Sequence, residues 1–339
     1  MRYALPKPAP LVSIVIPTKD HVETLDACVM SIAQKATYAN YEIVLVENNN
    51  EAPETFAHYE TLPERVAAAS EGKGVARVVY WPGEFNYSQI INFGVEHAKG
   101  DYLLLLNNDT EVISPDFIEE MMCYLQRPDA GVVGAKLYFA DYLVQHADIL
   151  VGVRGALAHA NQDFSVKREG YLARAVRPGN FSAVMGACQM VRRDVFERVG
   201  GYNEEFAVGF NDADFCLRVW EAGYRTIFTP YAVLYHYEFT SRGREEANEE
   251  KLRRWKREQA LFMRRWPEFF LAGDRGSDRT YPLGASISHF RESGCHCMVW
   301  LAICLIIIMW QMCSVIAVKW VNTSLIKLRH ACPACYLAN

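Results

Sequence analysis

Hydrophobic and polar positions alternate along this chain in a repeating order: a short β-branched run, a polar cluster, then an amphipathic stretch. Leu11-Val12-Ser13-Ile14-Val15-Ile16 is stopped by Pro17 and predicts a buried strand. His21 to Lys35 places Val22, Leu25, Val29 and Ile32 on one helical face. Glu42 to Val46 predicts a second strand, Pro53 to Ala69 a helix and Val75 to Trp81 a third strand. Asn86 caps a helix running to Lys99, with Gly100 just beyond it. Tyr102 to Leu106 predicts a fourth strand, and Ser114-Pro115 opens another helix. Strand alternating with helix predicts βαβ units and a mostly parallel sheet, whose ligands bind beyond the carboxyl ends of the strands. Three strands end in polar clusters at that edge: Thr18-Lys19-Asp20, Glu47-Asn48-Asn49 and Asn107-Asn108-Asp109.

The second half is less regular. Val132 to Tyr138, Val144 to Val153 and Gly186 to Val191 predict strands, with a polar connection over 155–180. Asp194 caps a helix over 195–199, and Asn211-Asp212-Ala213-Asp214 opens a helix ended by Gly223. Tyr224 to Phe228 and Ala232 to Tyr235 predict two short strands, the second followed by His236. Arg244 to Arg265 predicts a charged helix with Leu252, Trp255, Phe262 and Trp266 on one face, packed on the body. The run Cys297–Val318, 22 residues interrupted only by Gln311 and Ser314, is long enough to cross a hydrocarbon core of about 30 Å. The domain reading is therefore an extension over 1–10, a body over 11–270 and a tail over 271–339 with a single-pass span at 297–318.

Composition narrows the function. The chain has 339 residues, 51% hydrophobic and 22% charged, with a formal net charge of −5. That excludes collagen-like, coiled-coil and wholly disordered classes and gives no general attraction to nucleic acid. Ten cysteines in 339 residues are too few for a disulfide scaffold. Six of them crowd the tail, where Cys332-Pro333-Ala334-Cys335 has zinc-like spacing. An intervening span would separate that pair from Cys295 and Cys297, so zinc is disfavoured. The N-terminal stretch Met1 to Pro10 is Pro-rich, with no apolar core of a secretory signal.

The candidate chemistry starts from absences. No Gly-x-Gly-x-x-Gly follows the first strand and no Walker A loop occurs. A bound nucleotide would then have its phosphates neutralised by a divalent metal on carboxylates. Asp109, projecting from the end of a strand of four leucines, fits that task, and His236 is a possible second ligand or a buried structural histidine. Asp212 and Asp214 either cap a helix or divide between a general base and a structural role. His146 and His159 read as structural, and Ser241-Arg242-Gly243 as either a phosphate loop or a solvated turn.

In order and spacing these pieces resemble family 2 glycosyltransferases of the GT-A fold, and most of all the bacterial branch that builds O-antigen and other surface polysaccharides, with its rhamnosyltransferase-like members. The match runs through Val12 to Asp20, Glu42 to Asn49, Phe85-Asn86-Tyr87-Ser88, Gly100 to Asp109, Val191 to Phe196, Phe210 to Arg218 and His236, over roughly residues 9–270. The resemblance implies an α/β, Rossmann-like GT-A body with a central, mostly parallel sheet, followed here by a C-terminal hydrophobic helix. It implies that Pro17, Thr18, Asp20 and Glu47 line the nucleotide pocket, with Asn49, Asn86, Asn107 and Asn108 completing the nucleotide-sugar site. Gly186 and Ala187 would lie against the donor sugar or acceptor. Asp109 matches the final carboxylate of the family's metal motif, His236 a histidine near metal and diphosphate, and Asp212 the catalytic aspartate. Three positions differ from the family's usual residues: Glu47 for Asp, Asn107 for Asp and Asn211 for Glu. The implied activity is metal-dependent, inverting transfer, with Mn²⁺ or Mg²⁺, from a nucleoside-diphosphate sugar to a saccharide or lipid-linked saccharide. It would take place in the cytoplasm at the membrane face. The competing reading is a catalytically silent sugar-nucleotide-binding protein of a polysaccharide assembly complex.

Overall fold

The computed structural model describes residues 3–153, 156–159, 161–237 and 248–272. The segment Ser241-Arg242-Gly243, the apolar run 297–318 and the tail cysteines lie outside the described residues. Among the described residues no helix is long and apolar enough to cross a membrane.

The first half is three βα steps and a fourth strand: β1 (Val12–Thr18), α1 (Val22–Lys35), β2 (Tyr41–Glu47), α2 (Pro53–Ala69), β3 (Gly74–Tyr80), α3 (Tyr87–His97) and β4 (Tyr102–Leu106). Next come β5 (Thr110–Val112), α4 (Phe117–Leu125), β6 (Ala130–Tyr138), β7 (Val144–His146), β8 (Leu150–Val153), β9 (Ala156–Ala158), β10 (Gly179–Phe181) and β11 (Cys188–Arg192). The described part closes with α5 (Arg193–Arg198), α6 (Asn211–Glu221), β12 (Arg225–His236), α7 (Glu249–Arg265) and α8 (Pro267–Ala272).

One sheet in the order β10-β12-β6-β11-β4-β1-β2-β3 organises these elements, with β5 on β12 and β7 on β6. β3, β2, β1 and β4 run parallel to one another. β11 runs antiparallel between β4 and β6, and β6 and β12 are again parallel. The continuous apolar runs are explained by burial on both faces. Ile14, Ile43 and Leu104 pack among α1, α2 and α4, whereas Val15, Val44 and Leu105 pack among α3, α6 and α7. The parallel strands end at one edge, and the three polar clusters meet there.

Several boundaries differ from expectation for local reasons. The run over 144–153 is two strands: β7 pairs β6, and β8 pairs β9 in a separate hairpin. The chain leaves the main sheet around Asp148, which is fully buried and accepts a hydrogen bond from Asn161 Nδ2 at 3.2 Å. The two strands expected over 224–235 are one, β12, with a register shift between Phe228 and Val233. Pro230, which cannot donate to a ladder, lies in that irregularity. Ser114-Pro115 forms a turn ahead of α4 rather than its first residues, because Ser114 Oγ accepts from Val233 N–H at 3.1 Å. α5 starts at Arg193, so Asp194 lies in its first turn and not at its cap.

Candidate functional site

One side of the edge is built from turns that tie the strand ends together. Thr18 C=O accepts from Asn48 N–H at 3.0 Å, and Thr18 Oγ1 accepts from Asn108 Nδ2 at 3.4 Å. Glu47 is buried and its carboxylate accepts the Asn50 N–H, while Asn50 Oδ1 accepts the Asp20 N–H. Asn50 Nδ2 donates to Tyr59 Oη at 2.8 Å. Asp20 and Asn49 adopt φ of 52° and 56°, the left-handed region that Asp and Asn tolerate best. Asn49 Nδ2 donates to Gly83 C=O at 2.8 Å. Pro17, Thr18, Asp20, Glu47, Asn49 and Asn108 thus share one edge. Asn86 is committed elsewhere: its side chain caps α3 by accepting from Gln89 N–H, and its Nδ2 donates to Glu204 C=O at 2.9 Å.

Asp109 and His236 are brought together by the pairing of β5 with β12, in which Thr110 opposes His236. Asp109 Oδ1 lies 3.2 Å from His236 Nε2, with the two residues 6% and 3% exposed. His236 Nδ1 lies 2.8 Å from Gln145 Oε1, an acceptor, which places a proton on Nδ1. A carboxylate oxygen and an imidazole nitrogen thus face each other at hydrogen-bond distance in a nearly dry setting. One oxygen and one nitrogen, with the imidazole oriented through its other nitrogen, is a donor set that suits Mn²⁺ or Mg²⁺ completed by phosphate and water. Among the described residues no group of three or more His, Cys, Asp or Glu is placed to hold a metal ion. Asn107 Nδ2 also lies 3.2 Å from His236 Nε2, and Asn107 Oδ1 accepts from Tyr87 Oη at 3.0 Å.

Asp212 sits in the first turn of α6. Its Oδ2 accepts from Gly186 N–H at 2.9 Å and its Oδ1 from Ala213 N–H at 2.7 Å. Burial pushes its carboxyl above the usual aspartate value, and the two amides partly offset that. A Cβ on Gly186 would stand 3.1 Å from Asp212 Cβ and 3.3 Å from Tyr202 Oη, so a side chain here would push its neighbours back by a few tenths of an ångström. The flanking residues are fixed as well. Ala187 C=O accepts from Asn107 N–H at 3.0 Å, and Met185 N–H donates to His146 Nε2 at 3.2 Å. The segment 185–187 therefore joins the base candidate to the Asp109/His236 pair. His146 Nδ1 lies 3.2 Å from His159 Nδ1, and burial lowers the pKa of both rings, that of His159 to about 4. Neutral histidines supporting a backbone segment agree with their structural reading.

Asp214, two residues on, has a different environment. It is fully buried, 2.8 Å from Arg218 Nε, 3.0 Å from Arg265 Nε and 3.0 Å from Trp266 Nε1. It holds α6 to α7 and to Trp266 just beyond it. Sequence reasoning did not single out Gln145, Tyr87, Tyr59 or Asn50. Their signal is spatial, since each acts through a partner distant in the chain.

The family model for glycosyl transferase family 2 matches residues 13–200. Among relatives, the chain is 40% identical over 261 residues to the uncharacterized protein y4gI of Sinorhizobium fredii, covering 76% of this chain and 28% of that protein. It is 36% identical over 238 residues to the O-antigen biosynthesis protein RfbC of Myxococcus xanthus, covering 69% of this chain and 18% of RfbC. The chain thus spans less than a third of either relative's length. In structure it is similar to the mannosyltransferase PcManGT of Pyrobaculum calidifontis, solved in complex with GDP-Man and Mn²⁺. The TM-score is 0.53 at 16% identity, over 90% of this chain and 82% of that one. A likeness at that identity concerns the fold, and the fold is GT-A.

Proposed function

The chain belongs to glycosyl transferase family 2, and from that premise we propose that it moves a sugar, with inversion, from a nucleoside-diphosphate sugar to a saccharide or lipid-linked saccharide. The setting is surface-polysaccharide synthesis at the cytoplasmic face of the membrane, a reading supported by the relation to RfbC. One observation carries it: segment 185–187 links a carboxylate suited to base catalysis, Asp212, to an acidic–imidazole pair suited to a diphosphate-bound cation.

Asp212 takes the proton of the acceptor hydroxyl as that oxygen bonds to the anomeric carbon. The Gly186 and Ala213 amides fix its oxygens, and burial moves its pKa toward the working range of a general base. Glu47, Thr18 and Asp20 shape the pocket for base and ribose. Asp109 and His236 would hold Mn²⁺ or Mg²⁺, which supplies charge neutralisation for the leaving diphosphate. Gln145 and Asn107 keep the imidazole in register for that task. One carboxylate on the acceptor side suits single displacement, by analogy with inverting glycosidases.

The test is nucleoside-diphosphate release from a panel of UDP-, GDP- and dTDP-sugars, with Mn²⁺, with Mg²⁺ and with EDTA. Release from one donor class, lost in EDTA and restored by metal, is expected. Asp109→Ala should weaken donor binding chiefly through the diphosphate. Full turnover in excess EDTA would overturn the metal assignment.

A further inference from the structure

The helix that carries Asp212 begins in an unusual way. Its N-cap is Phe210, at φ 66° and ψ −3°, with no side-chain cap. A left-handed non-glycine residue is strained and persists only where its surroundings impose it. The surroundings here come from one face of α7. Glu258, 4% exposed, accepts from Val208 N–H at 3.3 Å and Gly209 N–H at 2.8 Å, and the Ala207 amide also hydrogen-bonds to it. Three successive amides thus converge on one carboxylate. Arg254, one turn earlier, is only a distant ion partner at 3.9 Å. Trp255 and Phe262 flank Glu258 on the same face and pack on the Phe210 ring, with centroids 5.7 and 5.4 Å away. The fit is close, since a Cβ on Gly209 would stand 3.1 Å from Glu258 Oε2.

None of these α7 groups touches Asp212, whose oxygens face Gly186 and Ala213. On the reading of Asp212 as general base, we infer that Glu258 is a positioning residue for it. By gripping the amides of residues 207–209, Glu258 forces the left-handed turn at Phe210 that aims the first turn of α6 at Gly186. The same loop is tied to α3, because Tyr87 N–H donates to Ala207 C=O at 2.8 Å and Ser88 Oγ to Phe206 C=O at 2.6 Å. Loss of the Glu258 grip therefore releases the base side of the loop while its α3 side stays held.

The test uses the full chain and the donor identified by the sugar-nucleotide panel. Glu258→Gln places an NH₂ against a backbone N–H and should lower kcat roughly 10- to 100-fold, with donor affinity within about twofold of wild type. Glu258→Asp, which keeps both oxygens but shortens the reach, should show a smaller loss of the same kind and covers the case in which the amide variant does not fold. Against an Asp212→Asn background either change should cost nothing further, because the residue it acts through is already silent. A readout free of turnover is the ¹³C carboxyl resonance of Asp212, assigned by its loss in Asp212→Asn. Its titration midpoint should rise in Glu258→Gln as the Gly186 amide moves away. Unchanged kcat in a folded variant, an equal loss in the Asp212→Asn background, or an unmoved Asp212 titration would each overturn the inference. A panel that yields no turnover would refute the proposed reaction, yet the carboxyl titration would still decide the positioning.

Discussion

Asp212 and Asp214 are separated by one alanine and have opposite chemical situations. Asp212 is held by backbone amides beside a glycine. Asp214 is enclosed by Arg218, Arg265 and Trp266. Sequence spacing showed that the pair would divide its roles, because residues two apart on a helix diverge. Which residue takes which role rested on the family resemblance, and the packing of α7 gives a physical reason for the same assignment. Asp212→Asn should lower turnover by roughly 10²–10⁴-fold, the usual worth of a general base, with donor binding nearly intact. Equal turnover by variant and wild type would refute the base. The acid limb of the kcat–pH profile should lie above the ordinary aspartate value of 3.8, since burial raises this carboxyl, and it should vanish in Asp212→Asn.

At the scale of elements, α6 is held by charge at its first turn, and this is where stability and catalysis separate. Asp214→Asn removes the buried charge that faces a half-buried Arg218 and an Arg265 whose side chain is 40% exposed. Losing charge-assisted hydrogen bonds of this kind costs about 1.5–3 kcal/mol, which urea unfolding should register, with a smaller effect on turnover than Asp212→Asn. The His146–His159 pair supports the opposite end of the site, under Met185. Both rings titrate below the ordinary 6.5 in the folded chain, so protonation favours the unfolded chain. Their contribution to stability is fully present above pH 6.5 and is lost as pH falls toward about 4, by up to about 1.4 kcal/mol per pH unit for each ring. His159→Asn should flatten the slope of unfolding free energy between pH 7 and 5, and an unchanged slope would contradict the assignment. The long periodic elements, β1 to β4 with α1 to α3, were legible because burial on both faces leaves an unbroken apolar signature. The split at Asp148 and the fusion across Pro230 were not, because each depends on a partner strand that the local pattern does not name.

At the scale of the whole chain, the sequence implied a mostly parallel sheet but could not order it. β11 intrudes antiparallel between β4 and β6, and that insertion brings Gly186 and Ala187 beside Asn107 and Asp212. The strand-end clusters were readable as three separate loops. Their convergence with residues 186, 212 and 236 is a property of topology alone. The same topology places every candidate site residue between Pro17 and Glu258, on elements whose cores close within the described residues. Trp266 and Phe269 are themselves almost fully buried against that core. A chain ended at Ala272 should therefore fold cooperatively and bind the donor nucleotide sugar as tightly as the full chain, because the apolar faces of the described body are covered by its own residues. The run over 297–318 has the length and composition of a bilayer span, so the full chain should sediment with membranes and the shortened chain should not. Fractionation with a donor titration on both forms measures this. An unfolded shortened chain would show that the tail completes the core, and a full chain that stays in solution without detergent would show that the apolar run is not an anchor.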